Sequence, residues 1–359
     1  MPTPTRVAFV LPSFAGGGAQ RVLVTLASQL DRARFMPFFV VFEASGPWRS
    51  LVASHIPVIS LGKTSLRAAL PGLVRALRRE RPDVIVSTLA YVNASLLFAK
   101  FLLIGNPRLI VREANTSRRH AHTAFGRMAY WLAYRLFYPR ADRIVCPAAY
   151  LADELTMDYG IRRDRIVIVG NPLDEKAFRA AAASPQRRAG PGRRFIAVGR
   201  LTEQKGYDRL LDDFAQLPAD SHLTIFGEGE LHEAIERQIE RLGLLGRVAL
   251  AGFEPQPAPW IGGADAVLLP SRWEGLPNVA LEALACGTPV VGTPESGGIS
   301  EIVAQASPGA ITLASPGQSF VAAMMSILPR QELSLRSSLL PDAYRMEGVT
   351  AKFAAVILR

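Results

Sequence analysis

Residues Pro270 to Val291 read PSRWEGLPNVALEALACGTPVV. The apolar run Ala266–Leu269 before them is a strand that ends at Pro270. A loop with Glu274-Gly275-Leu276-Pro277-Asn278 follows, then a helix carrying Glu282, and Pro289–Val291 opens another apolar strand. Strand, loop, helix and strand in so short a span make one unit of a parallel α/β sheet, whose strands are apolar throughout because both faces are buried.

Working outward, the same design recurs. Arg194–Gly199 (RFIAVG) is a short strand followed by a polar loop to Gly206 and a helix with Leu210, Leu211 and Phe214. Arg6–Pro12 (RVAFVLP) is another, followed by Gly16-Gly17-Gly18 and the helical spacing Val22, Leu23, Leu26, Leu30. Further apolar strands alternate with helical segments: Phe38–Phe42, Val58–Leu61, Val84–Ser87, Leu109–Val111 and Ile144–Cys146, then Leu223–Phe226 and Val248–Leu250. Two Rossmann-like, doubly wound parallel-sheet domains facing across a cleft are expected, over residues 1–172 and 173–341. Ala180–Arg194, rich in Ala, Pro, Gly and Arg without apolar periodicity, reads as linker.

Composition narrows the classes. At 359 residues and 49% hydrophobic, the chain can bury two ordinary cores, which excludes disorder. Two distant cysteines, Cys146 and Cys286, cannot make a disulfide framework and suit a reducing, cytoplasmic compartment. No signal segment is read at Met1–Thr5. The longest uncharged apolar run, Val84–Ala99, is 16 residues and contains Asn93, too short to span a bilayer. The net charge of +10 is unevenly placed. Residues 1–172 hold 23 Lys and Arg against 10 Asp and Glu, giving +13, and residues 173–359 hold 18 against 21, giving −3. An anionic partner for the first half is implied. No zinc-finger spacing, RNP-like motif or basic heptad helix accompanies the charge, so nucleic acid is not expected.

Several signatures fail on counting. Gly62-Lys63-Thr64 has Pro57 where a P-loop needs glycine, and His232-Glu233 is followed by Glu236 where a zinc protease needs histidine. After Gly16 and Gly18 the third dinucleotide-loop position is Arg21. No Ser is flanked by glycines as in a nucleophile elbow. There is no Asp-x-Asp pair, so no divalent metal and no cofactor is expected.

Two segments survive. Glu274 lies in the loop before a helix and Glu282 about two turns inside it, on the same side of the axis. Between them the amides near Gly275–Val279 and the positive end of the helix dipole suit a diphosphate, and the carboxylates suit sugar hydroxyls. The alternative makes both glutamates solvated surface residues. In Val198–Gly206 (VGRLTEQKG), Arg200 and Lys205 leave the carboxyl end of a strand, where open α/β sheets bind ligands, and their cations suit a phosphate. A solvated basic loop is the alternative.

Together these residues resemble the retaining glycosyltransferases of family 4, which have the GT-B fold. The resemblance rests on the E-x7-E pair Glu274/Glu282, the loop Gly199-Arg200…Lys205-Gly206, and Gly16-Gly17-Gly18. It implies that Arg200 and Lys205 bind the nucleotide diphosphate, Glu282 the ribose and Glu274 the donor sugar. Gly275, Leu276, Pro277, Asn278 and Val279 would border phosphate and sugar, while Gly17 and Gly18 would admit the donor close to the backbone. Gly227, with Gly252 and Phe253, would form the wall beside the base. The last helix, within 342–359, would complete the first domain. Where many members carry a histidine, this chain has Arg112-Glu113-Ala114-Asn115, similar to a variant associated with N-acetylhexosamine transferases. Glu113 or Asn115 would then orient hydroxyls, with Glu113 a candidate catalytic residue; His120 and His122 are read as surface residues.

The expected reaction is retaining transfer from a UDP- or GDP-sugar to a glycan or polyprenyl-diphosphate-linked acceptor. Arg200, Lys205 and the helix end would stabilise the leaving group. No nucleophile is apparent, which suggests same-face attack. Phe125–Tyr138 places Phe125, Met128, Leu132 and Leu136 on one face and Arg127, Trp131, Tyr134, Arg135 and Tyr138 on the other. The second face, flanked by Arg118, Arg119 and Arg140, reads as a headgroup-level surface for an anionic membrane, with the protein peripheral on its inner face. A helix buried on both sides is the alternative. The helix with Arg67, Arg75, Arg78, Arg79 and Arg81 would extend the basic surface. A sugar-nucleotide 2-epimerase, which would not need E-x7-E, and a non-catalytic transferase subunit are the competing functions.

Overall fold

The computed structural model describes residues 3–115 and 124–359. They divide into two compact units, Met1–Pro172 with Glu347–Arg359, and Leu173–Met346.

The first unit is built on seven parallel strands: β1 (Thr5–Leu11), β2 (Phe35–Val41), β3 (Val58–Ser60), β4 (Val84–Thr88), β5 (Arg108–Arg112), β6 (Arg143–Cys146) and β7 (Ile166–Ile168). Their order is β3-β2-β1-β4-β5-β6-β7, so the winding reverses between β1 and β4. The helices are α1 (Gly18–Ser28), α2 (Leu66–Glu80), α3 (Ala90–Ala99), α4 (Ala124–Phe137) and α5 (Ala149–Tyr159). Alternate strand residues point to opposite faces, and the core follows that rule. Ala8, Val10, Ile85, Leu109 and Ile144 pack with α2 to α5, while Val7, Phe9, Val86, Ile110 and Val145 pack with α1 and the C-terminal helix Met346–Leu358. The C-terminal helix buries Phe353 against Phe9, with ring centres 6.3 Å apart. Arg108 closes its end, donating from Nη1 to the Ile357 carbonyl at 2.7 Å, where a cation meets both the orphan carbonyls and the negative end of the dipole.

The second unit opens with α6 (Glu175–Ala181) and has six parallel strands. These are β8 (Arg194–Val198), β9 (His222–Phe226), β10 (Val248–Leu250), β11 (Ala266–Leu269), β12 (Val290–Gly292) and β13 (Ile311–Leu313), in the order β10-β9-β8-β11-β12-β13. Helices α7 (Tyr207–Phe214), α8 (His232–Arg241), α9 (Ala258–Gly263), α10 (Asn278–Ala285), α11 (Ile299–Val303) and α12 (Gln318–Ser326) connect them. Both sheets thus have the doubly wound order, with the switch points at β1/β4 and β8/β11.

The expected strands are present, with ends shifted by up to three residues, and each sheet gains an edge strand that sequence reading omits: β7 and β13, three residues each. The segment Ala180–Arg194 is not a free linker. Gln186 N–H donates to the Pro259 carbonyl at 2.9 Å. A Cβ on Gly263 would lie 2.0 Å from the Gln186 carbonyl oxygen, so this stretch is pressed onto α9. Among the described residues no helix is long and apolar enough to cross a membrane.

Candidate functional site

The loop between β11 and α10 is held from several directions. Arg209 donates to the Pro270 carbonyl from Nε at 2.9 Å and from Nη2 at 2.7 Å, and reaches Glu295 at 2.5 Å. Thr293 and Ser296 hydroxyls both donate to the Ser271 carbonyl, at 2.7 and 3.1 Å. Arg272 grips Asp208 through both guanidinium nitrogens, at 2.7 and 2.6 Å, and these hydrogen bonds hold the Asp208 carboxyl below its ordinary value. A loop anchored this densely presents its side chains in fixed positions.

What it presents is Glu274. This carboxylate is buried and accepts hydrogen bonds from Lys205 Nζ at 2.5 Å, Ser271 Oγ at 2.7 Å and Gln204 Nε2 at 3.4 Å. The Gln204 amide also donates to the Trp273 carbonyl at 2.9 Å, and its Oε1 accepts from Arg200 Nη2 at 3.4 Å. One glutamine therefore links Arg200 to Glu274. The structure brings Arg200, Lys205 and Glu274 together, and neither glutamate of the E-x7-E pair is a solvated surface residue: Glu282 is also buried, on the wholly buried side of α10. Pro277 precedes α10 and supplies no side-chain cap, and the first turn of the helix has no acidic residue.

Close backbone packing sets the strand ends beside it. Gly227 N–H donates to the Gly252 carbonyl at 2.7 Å, and a Cβ on Gly227, at φ +147°, would lie 1.9 Å from the Gly199 carbonyl oxygen. Gly206, at φ +67°, ends the turn carrying Lys205; a Cβ there would lie 2.2 Å from the Pro270 carbonyl oxygen. Tyr207 donates to Gly199 O at 3.2 Å, and burial, with the Glu274 charge second, pushes its phenol well up. Phe253, by contrast, is exposed. Among the described residues no three His, Cys, Asp and Glu side chains group as metal ligands would.

In the first unit, Gly17 caps α1 and Gly18 begins it, and Trp48 Nε1 holds the glycine loop by donating to Gly16 O at 2.9 Å. At the end of β5, Glu113 is enclosed. Tyr134 donates to its Oε2 at 2.8 Å, Tyr138 to its Oε1, and Asn93 Nδ2 to the same Oε1 at 3.0 Å. Asn93 is itself oriented by Ser87, whose hydroxyl donates to Asn93 Oδ1 at 2.7 Å. Burial first, then the Glu113 charge, raises both tyrosine phenols well above their ordinary value. Asn115 is half-buried just beyond.

Arg112 is a correction. The sequence places it with the acceptor and membrane residues, but it is 1% exposed and so forms no part of a surface. Its side chain follows the alternation of β5 inward, where Nη2 donates to Asn171 Oδ1 at 2.5 Å. Nε and Nη1 have no hydrogen-bond partner among the described residues. Burial pushes its pKa down to about 10, opposed by the neighbouring Cys146 and Glu113.

Helix α4 is a second correction. Tyr134 and Tyr138, expected on the membrane side with Arg127, Trp131 and Arg135, are buried because they carry the hydroxyls that Glu113 requires. Met128, Leu132 and Leu136 are exposed instead, and Arg127, Trp131 and Arg135 remain exposed with them. Arg118, Arg119, His120 and His122 lie outside the described residues, as does the Phe125 side chain. Sequence reading missed Gln204, Ser271, Asn93 and the two tyrosines as site residues. Gln204 and Ser271 lie within the motifs already singled out, immediately before Lys205 and after Pro270, and that adjacency was the available signal.

Residues 16–177 match the family model described as Glycosyltransferase Family 4, and residues 178–339 match that described as Glycosyl transferases group 1. One curated relative is the N-acetylgalactosamine-N,N'-diacetylbacillosaminyl-diphospho-undecaprenol 4-alpha-N-acetylgalactosaminyltransferase of Campylobacter jejuni. It is 28% identical over 207 residues, 56% of this chain and 55% of its own length, so this chain spans under two thirds of it. The lipopolysaccharide core biosynthesis glycosyltransferase LpsE of Rhizobium meliloti is 27% identical over 297 residues, 78% of this chain and 77% of that protein. The crystal structure of Anabaena HepE in complex with UDP-glucose has a similar fold, with a TM-score of 0.77 over 98% of this chain and 99% of that one at 20% identity.

Proposed function

Because this chain belongs to the GT-B glycosyltransferases of family 4 and group 1, we propose that it transfers a sugar, with retention, from a UDP-sugar to a glycan or polyprenyl-diphosphate-linked acceptor. The observation that carries this reading is the Lys205–Glu274 pair at the carboxyl end of β11, with Gln204 joining it to Arg200. In this arrangement the cation suited to the diphosphate and the carboxylate suited to the sugar neutralise one another before the donor arrives. A diphosphate draws the Lys205 charge toward itself, which releases a lone pair of Glu274 for a sugar hydroxyl. Phosphate and sugar are thereby read by one coupled pair.

In the transfer, the bond from the anomeric carbon to the diphosphate oxygen loosens first and negative charge collects on the leaving group. Arg200, Lys205 and the N-terminus of α10 stabilise that charge without a metal. The acceptor hydroxyl attacks from the same face and gives its proton to the departing phosphate. In the first unit Asn115 orients a reacting hydroxyl, and the caged Glu113 acts as a positioning residue behind it. The run Arg112-Glu113-Ala114-Asn115 favours an N-acetylhexosamine donor, and the Campylobacter relative's named activity is of that class. The two cysteines are buried and unpaired, which fits a reaction in the reducing cytoplasm.

Isothermal titration with UDP and GDP, followed by turnover with the corresponding sugar donors, tests the proposal. UDP binding is expected, and Arg200→Ala or Lys205→Ala should each lower turnover by about a hundredfold or more, as loss of one such donor does. Absence of nucleotide binding, or near-wild-type turnover in both variants, would refute it.

A further inference from the structure

Helices α2, α3 and α4 lie on one face of the first sheet, each burying its inner residues in the same core. Their outer surface is unusual for a water-facing one. After α3 the chain makes a short helical turn, Lys100–Leu102, and there Phe98, Phe101, Leu102 and Ile104 are all more than a third exposed, Phe101 by 74%. On α4 the same holds for Met128, Trp131, Leu132 and Leu136. The two groups are continuous: Phe98 meets Phe101 with ring centres 6.0 Å apart and Phe137 of α4 at 5.6 Å. Between them lies a cavity of about 610 Å³, walled by Phe98, Phe101 and Phe137 and bordered by Arg140, Arg165 and Lys100, the last paired with Asp142 at 2.7 Å.

Cations edge this apolar surface. Arg135 stacks on Trp131 at 5.2 Å and Arg140 on Phe137 at 5.4 Å, and both guanidiniums are exposed. Arg127 is exposed on α4, and Arg67, Arg75, Arg78 and Arg79 on α2. Exposed apolar surface on this scale marks an interaction site. Charge selects the partner. A second copy of the same face would bring like charges together, so self-association is disfavoured. A surface of anionic headgroups above hydrocarbon matches both components, with guanidiniums stacked on aromatic rings at headgroup level and aliphatic tips below.

We propose that this face, the Phe98–Ile104 turn with the outer side of α4, docks the protein on an anionic lipid bilayer. Phe101, Leu102, Met128, Leu132 and Leu136 enter the acyl boundary, Arg127, Arg135 and Arg140 bind headgroup phosphates, and the arginines of α2 add long-range attraction. Its use in presenting a lipid-linked acceptor rests on the transfer reading above; the docking itself does not.

Flotation of the full-length protein with vesicles tests it without any donor or acceptor. Phosphatidylcholine vesicles containing about one third phosphatidylglycerol are compared with pure phosphatidylcholine. Binding is expected to the first at low salt, falling as salt rises, and not to the second. Each exposed Lys or Arg near an anionic surface contributes about fivefold, so the Arg127/Arg135/Arg140 triple alanine variant should bind roughly a hundredfold more weakly. Phe101→Ser with Leu132→Ser should weaken it by tenfold or more, while UDP binding by that variant stays unchanged and reports an intact fold. In the unsubstituted protein, brominated acyl chains should quench fluorescence that Trp131→Phe removes. No binding to anionic vesicles at low salt, equal binding to neutral ones, or indifference to both sets of substitutions would overturn the assignment. So would a dimer in solution that Phe101→Ser dissolves, or retention of the face by an acidic protein but not by vesicles. UDP binding without vesicle binding would refute the docking and leave the transfer reading standing; the reverse result would do the opposite.

Discussion

Tyr138→Phe isolates what the Glu113 cage contributes. The substitution removes one hydroxyl and keeps the ring, which is fully buried and stacked on Tyr134 with centres 4.2 Å apart. The hydroxyl donates to the buried Glu113 carboxylate, a bond of a kind that contributes about 1.5–3 kcal/mol, and it also accepts from Asn93 Nδ2 at 3.2 Å. The first unit holds 172 residues before the crossover and 13 after it. For a unit of that size a loss of about 2 kcal/mol lowers the melting temperature by roughly 4–8 °C. Calorimetry and urea unfolding of the variant measure this directly. A double-mutant cycle with Glu113→Gln then tests the cause, since a neutral acceptor weakens the bond by about half and should leave a coupling of about 1 kcal/mol between the two positions. Glu113→Gln also separates structure from chemistry. If the carboxylate acts only by positioning, transfer and stability fall together, and residual activity keeps the wild-type pH profile. A Tyr138→Phe protein that melts within a degree of wild type, with no coupling to Glu113, would refute the cage.

Tyr134 and Tyr138 ionise near pH 10 in the unfolded chain but at raised values in the fold, so their contribution to stability is complete below about pH 10 and is lost as pH rises through the raised folded-state values. Melting temperatures followed from pH 9 upward should therefore drop more steeply in wild type than in the Tyr134→Phe/Tyr138→Phe double variant, and parallel curves would refute this. In the second unit, Gln204→Leu cuts the link between Arg200 and Glu274 without removing either. Transfer should fall by about 10- to 100-fold, the equivalent of one hydrogen bond to a charged group, chiefly in kcat, while UDP affinity changes little. A pure loss of UDP affinity would count against a positioning role.

What could be read from the sequence divides along physical lines. Strands such as Ala266–Leu269 are legible because a parallel sheet buries both faces and leaves an uninterrupted apolar signature. β13 escapes because Thr312 interrupts its three residues, whereas Ile166–Val169, which holds β7, is an uninterrupted apolar run and was legible. Composition misleads at Ala180–Arg194, where Arg187, Arg193 and Arg194 turn onto carbonyl groups; Arg194 alone donates to the carbonyls of Arg188, Ala189, Arg193 and Asp220. Helical periodicity groups Tyr134 and Tyr138 with Arg127, Trp131 and Arg135, whereas the structure buries the two tyrosines and exposes the other three alongside Met128, Leu132 and Leu136. The partner that decides it, Glu113, lies 21 and 25 residues from Tyr134 and Tyr138, beyond the reach of any local pattern. The candidate donor site was legible in its charged residues, and Gln204 was not, because an amide advertises no chemistry until its neighbours are known.

The basic surplus of the first half sharpens in the same way. A sum of +13 treats every arginine alike, and the structure does not. Arg112 is buried, Arg108 closes the C-terminal helix, Arg165 donates to the Pro139 and Ala141 carbonyls, and Arg6 pairs with Glu80 at 3.2 Å. These charges are committed to holding the fold and contribute little at a distance. Of the exposed remainder among the described residues, half lies on α2, α4 and at Arg140, and the other half, Arg32, Arg34, Arg49, Lys63, Arg81, Arg162 and Arg163, lies elsewhere. At physiological salt the screening length is about 8 Å, so only cations beside the apolar residues can strengthen a docked state, while those on α2 act chiefly during approach at low ionic strength. Neutralising Arg75, Arg78 and Arg79 should therefore slow vesicle association and flatten its salt dependence, whereas neutralising Arg127, Arg135 and Arg140 should shorten the bound lifetime. Stopped-flow measurement of both rates separates the two groups, and an equal effect on association from each would show that the charge acts as an undivided field.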